Sequence, residues 1–96
     1  GQIEAPGQSS RHYAPGKPMR LGVVHATPDE FLIGFGAVTG DTNLSPGGDL
    51  AEAAKRLYAC LHAAAASEKP RIAVAPIPQS GVGRAMNDRL RRAAAD

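Results

Sequence analysis

The residues best suited to chemistry in this 96-residue chain stand close to its beginning, in the run Arg11-His12-Tyr13-Ala14-Pro15. A cation, an imidazole and a phenol adjoin one another there, on a backbone punctuated by Pro6, Gly7, Pro15, Gly16 and Pro18. A planar ring, two hydrogen-bonding tips and a positive charge suit a polyanionic or nucleotide ligand. The competing reading docks Tyr13 and His12 on the surface of the domain that follows. Residues 1–18 show neither a helical nor an alternating apolar period, which predicts an extended linker or arm.

Familiar catalytic signatures are missing from the rest of the chain. Gly81-Val82-Gly83 follows a strand-like run, but the third glycine of a dinucleotide fingerprint would fall at Met86. Gly16-Lys17 is followed by Pro18 rather than Ser or Thr, so no P-loop is spelled. Ser9, Ser10, Ser45, Ser67 and Ser80 lack a nucleophile-elbow context. His12, His25 and His62 lack metal-ligand spacing. His25, at a strand end, reads as hydrogen-bonded surface rather than as a ligand. The single cysteine, Cys60, excludes an intrachain disulfide and a cysteine zinc site, and its place on an apolar helix face predicts core filler. Two backbone cradles for an anion remain, at the start of the last helix and at Gly47-Gly48-Asp49. In the second, the Asp49 carboxylate competes with any bound phosphate. These residues by themselves describe a binding or accessory domain.

A formal net charge of +2 and a pI near 9.0 are mildly basic and do not mark a nucleic-acid binder. The excess sits in Arg11, Lys17 and Arg20 and in Arg84, Arg89, Arg91 and Arg92. The second group reads as a solvated helix face with cations near its C-terminus, where the helix dipole favours them. No apolar run is long enough for a signal segment or a bilayer span. The expectation is a cytoplasmic, reducing setting without membrane contact. The length suits one domain, and the Pro/Gly-rich beginning at Gly1 leads us to expect a piece of a larger protein.

The elements that must position these residues follow an α/β order. Met19 to Val24 is β-biased, with Leu21, Val23 and Val24 as core candidates. His25 to Glu30 is a turn, and Phe31 to Phe35 is a second, largely buried strand. Their connection is too short for a crossover helix, so the two strands form an antiparallel pair or sit apart in the sheet. A brief strand is expected near Thr42 to Leu44. Asp49 then caps a helix, with Glu52 three residues on as in a capping box. Leu50, Ala54, Leu57, Leu61 and Ala64 form its apolar stripe, which Ala53, Tyr58 and Cys60 widen, and His62 lies off it. Ile72 to Ala75 is a strand buried on both faces, stopped by Pro76 and Pro78. Ser80 is a capping candidate, and Gly81 and Gly83 permit a tight turn. Val82, Met86 and Leu90, with Ala85, Ala93 and Ala94 beside them, recur at helical spacing.

The arm carries a resemblance. Ala5-Pro6-Gly7-Gln8-Ser9-Ser10-Arg11-His12-Tyr13-Ala14-Pro15 resembles the interdomain linker of two-domain threonylcarbamoyl-AMP synthases, of the form Pro-Gly-Met-x-x-x-His-Tyr-Ala-Pro, with Gln8 in place of the methionine. Asn43 to Ala54 and Gly81 to Ala93 are similar to the C-terminal domain of the same family, in the same order and at the same spacing. This chain has no room for the helix that longer members carry between the first two strands, and it lacks the N-terminal YrdC-like catalytic domain. The resemblance implies a nucleotidyltransferase reaction in the parent, which condenses L-threonine, bicarbonate and ATP into threonylcarbamoyl-AMP and pyrophosphate for threonylcarbamoyladenosine formation on tRNA. It implies ATP and Mg2+ in that parent and no cofactor for this chain. It also implies that the arm closes over the nucleotide pocket of the catalytic domain in cis through Gly7, His12 and Tyr13, with Arg11 as a phosphate contact.

The expectation is therefore a linker over residues 1–18 and a small Rossmann-like α/β domain over 19–96, its mostly parallel sheet flanked by helices. The chain alone is not catalytic on this reading. Two alternatives of other classes stand beside it. One is a free-standing module that senses a nucleotide. The other is a tRNA-contacting module using Arg84, Arg89, Arg91 and Arg92.

Overall fold

The computed structural model of the chain describes residues 16–95. Strand β1 is Met19–Leu21, β2 is Glu30–Gly34 and β3 is Thr42–Asn43. Helix α1 spans Leu50–Ala66, β4 is Arg71–Val74 and α2 spans Val82–Ala95. The four strands form one sheet in the order β1-β4-β2-β3, and every neighbouring pair is parallel. This is a small Rossmann-like α/β arrangement, as expected.

β4 lies inside the sheet, between β1 and β2, with Ile72 level with Met19 on one side and Phe31 on the other. Ile72, Ala73 and Val74 are fully enclosed, which is why this strand reads as an unbroken apolar run. Its two faces have different covers. Ile33, Ile72 and Val74 pack with Leu57, Leu61, Met86 and Leu90 of the helices. Leu32 and Ala73 on the other face meet Val23, and Ala26 and Val38 pack there too. Both helices thus lie on one face and loops close the other.

Of the two arrangements expected for the first two strands, the structure adopts the second. They sit apart with β4 between them, parallel to both. Residues 22–29 carry the chain from one to the other without a helix, and the loop sets Val23 and Ala26 on Ala73 as it passes. β1 stops at Leu21, earlier than the β-biased run, and Val24 is exposed. β2 gains Glu30 and ends at Gly34, after which Phe35 bridges to Val38.

Several local details differ from the sequence reading. Tyr58 does not widen the buried stripe of α1; it is 41% exposed. Val82 likewise leaves the buried face of α2, at 42%, and that face consists of Gly83, Met86, Leu90 and Ala93. Gly83 serves close packing rather than a turn. A Cβ there would run into the carbonyl oxygen of Pro78 and lie 3.4 Å from Leu50 Cδ1. Gly81 does adopt the left-handed conformation, at φ +53°. Ser80 contributes its backbone carbonyl, which accepts the Gly83 amide at 2.9 Å, rather than a side-chain cap.

Candidate functional site

The arm residues singled out by the sequence, Gly7, Arg11, His12 and Tyr13, lie outside the described residues. What the structure does describe is the root from which they extend. Lys17 is half-buried, and its ammonium donates to the carbonyls of Ala64, Ser67 and Lys69 at 3.0, 2.8 and 2.8 Å. These belong to the last turn of α1 and the segment leaving it; the Ala64 carbonyl also accepts the Ser67 amide at 3.3 Å and its hydroxyl at 2.9 Å. A cation is also favoured at that end by the helix dipole. One residue later, the Pro18 carbonyl accepts the Ile72 amide at 2.9 Å and starts the β1–β4 ladder. The arm therefore leaves a doubly fixed point, held by helix and sheet together. From the sequence, Lys17 reads as a basic residue and as part of a failed P-loop spelling; nothing in its neighbours shows that its partners lie about 50 positions away.

The second anchored charge is Glu30, 2% exposed at the start of β2. Arg20 grips it through two bonds, Nε to Oε2 at 2.6 Å and an Nη nitrogen to Oε1 at 2.8 Å, and the Thr27 amide donates to Oε1 at 2.9 Å. The Arg20 hydrogen bonds, then that amide, bring the Glu30 carboxyl down from 4.5 to about 2, against the opposing effect of burial. Such a carboxylate is held ionised and has no lone pair tuned for proton transfer near neutrality. Its role is to pin residues 22–29 across the sheet.

The C-terminal edge of a parallel sheet is where α/β folds bind ligands, and both backbone cradles lie there. At α1 the cradle is filled from within. Asp49 Oδ1 accepts the amides of Ala51 and Glu52 at 2.9 and 3.3 Å. Glu52 does not reach back to Asp49, so the capping box is not closed directly. Instead the fully buried Ser45 hydroxyl donates to Glu52 Oε1 at 2.6 Å and accepts the Asp49 amide at 2.9 Å. The serine thus relays the box. Two carboxylates and a hydroxyl stand where a phosphate would bind. At α2 the Arg84 amide turns back to the Gly81 carbonyl at 3.2 Å, so part of its first turn is also engaged.

The remaining chemistry-bearing side chains do not converge. His25 and His62 are exposed and far apart in the chain. Cys60 is buried, 3.6 Å from Thr42 Oγ1. Among the described residues, no three His, Cys, Asp or Glu side chains come together to hold a metal ion. The basic face of α2 is partly paired internally: Asp88 meets Arg91 at 3.7 Å and Arg92 at 3.1 Å, and Arg89 lies over the Tyr58 ring, 5.1 Å from its centre. No helix of the described residues is long and apolar enough to cross a membrane.

Comparison with known proteins places this anchored arm and its domain together. Residues 1–95 match the family described as threonylcarbamoyl-AMP synthase, C-terminal domain, so the match takes in the arm as well as the α/β body. No curated protein and no solved structure gives a significant match. The matched segment runs through nearly the whole chain, and the chain belongs to the family of threonylcarbamoyl-AMP synthase C-terminal domains.

Proposed function

We propose that this domain is the non-catalytic accessory part of a threonylcarbamoyl-AMP synthase, and that its arm closes over the nucleotide site of the N-terminal catalytic domain. The observation that carries the reading is the fixed root of the arm, Lys17 on three carbonyls and Pro18 on β4, inside a family match that includes the arm. A strap that must return to the same place needs a rigid mount, and a short tether keeps its tip at high local concentration.

In this reading the catalytic domain binds ATP and Mg2+ and carries the chemistry. L-Threonine and bicarbonate supply the carbamate, which takes the adenylyl group of ATP and releases pyrophosphate. The product is a mixed anhydride that water destroys. Gly7 lets the strap approach closely, and His12 and Tyr13 lie over the nucleotide with Arg11 towards its phosphates. Closure of this kind excludes water while the anhydride forms.

The test joins this chain to its catalytic domain and replaces Tyr13→Ala. The expected result is slower formation of threonylcarbamoyl-AMP and faster loss of the intermediate to hydrolysis. Unchanged turnover together with unchanged release would refute the strap.

A further inference from the structure

The outer seam between α1 and α2 is not closed. Ala54, Leu57, Val82, Ala85 and Met86 line a groove of ≈ 200 Å3, with Tyr58 and Arg89 at its lip. Two of the three large exposed apolar residues of the described chain, Tyr58 and Val82, stand in this one groove. A cavity of roughly 150 Å3 accepts a benzene ring, so the groove has room for an aromatic or branched side chain. Apolar residues gathered in one place on a surface mark an interaction site more often than scattered ones do.

The charge around the groove narrows the partner. The two helices together carry four more cationic than anionic side chains, whereas the whole chain carries an excess of only two. Lys55 stands one turn before Tyr58 on α1, and Arg92 one turn after Arg89 on α2. The acidic residues of this layer are already engaged, Glu52 by the Ser45 hydroxyl and Asp88 by Arg91 and Arg92. An apolar seat with a basic rim suits a segment that presents an apolar side chain flanked by carboxylates.

The tether permits such a partner. The arm is rooted at the C-terminal end of α1, and Tyr58 lies six positions before Ala64, about 9 Å along the helix. Fifteen residues, extended, reach at most ~50 Å. A domain attached ahead of Gly1 can therefore sit on the groove while the arm remains connected.

Resting on the functional reading above, we propose that the α1–α2 groove is the docking seat for an acidic, apolar-bearing surface segment of the N-terminal catalytic domain. The seat orients the two domains so that the arm spans between them. Arg89, whose guanidinium donates to the Tyr58 hydroxyl, and Lys55 meet the carboxylates of the partner segment at the lip, and Val82, Ala85 and Met86 receive its apolar side chain.

The experiment uses the full-length synthase with a photo-crosslinking residue at Val82. The expected product is an intramolecular crosslink to a catalytic-domain peptide containing Asp or Glu. Its yield should fall about thirtyfold when Arg89→Glu or Ala85→Arg is added, as for loss of a central contact. Both positions are exposed on α2, and circular dichroism checks that each variant folds. A crosslink to a second copy of the chain, a crosslink to tRNA, no crosslink at all, or a yield unchanged in both variants would overturn the proposal. Threonylcarbamoyl-AMP synthesis is measured on the same protein. If synthesis is absent but the crosslink forms, the functional reading fails and the seat stands. If synthesis is present without the crosslink, only the seat fails.

Discussion

Replacing Glu30→Gln keeps the shape of the side chain and removes the charge that Arg20 and the Thr27 amide hold in place. The magnitude follows from the depressed carboxyl. A change from 4.5 to about 2 would correspond to about 3.4 kcal/mol if all of it reached folding. The Arg20 side chain is 57% exposed, so solvent screens the pair, and we expect a little under half of that, ~1.5 kcal/mol. For a domain of this size, such a loss lowers the melting temperature by roughly 6–12 °C. The sign with pH is determined. A carboxyl with a lowered folded-state value stabilises the fold fully above about 4.5 and loses that contribution as pH falls towards about 2. Urea unfolding of the two proteins should differ by a constant amount from pH 7 to pH 5. The curves should converge between pH 4.5 and pH 2, because the wild type loses what the variant never had. Equal stability at pH 7, or a difference that does not shrink in acid, would refute the assignment of Glu30 as an ionised anchor of the loop over residues 22–29.

Two further substitutions test the packing that positions the arm. Lys17→Met leaves the end of α1 without the ammonium that takes the carbonyls of Ala64, Ser67 and Lys69; urea unfolding should show a loss of about 1–2 kcal/mol. In the full-length synthase, the same change should slow turnover by loosening the arm's mount, measured as the rate of threonylcarbamoyl-AMP formation. Gly83→Ala forces α2 away from the Pro78 carbonyl and should cost about 1–3 kcal/mol by the same assay. Gly47→Ala, where an added Cβ meets nothing within 4 Å, is its control and should be close to neutral.

The chain by itself settled what local chemistry can settle. The unbroken apolar run Ile72 to Ala75 announces a strand enclosed on both faces. Asp49 announces the start of α1, and the 3.6-residue stripe of Leu57, Leu61 and Ala64 announces which side of it is buried. Missing fingerprints around Gly16 and Gly81, and a lone cysteine, removed the familiar catalytic classes. The arm's His-Tyr-Ala-Pro run carries the family resemblance without any geometry. Tertiary structure decided everything that depends on distant partners. Only the fold brings Lys17 to the carbonyls of residues 64–69, and Arg20 across β4 to Glu30. It also turned the Asp49–Glu52 box into a relay through Ser45 and gave Gly83 a packing role instead of a turn. Tyr58 and Val82 match the helical period as core residues do. They are exposed at 41% and 42% because they stand in the open groove between α1 and α2. Periodicity specifies which face of a helix is apolar; how far a neighbour covers that face is a property of the assembled layers.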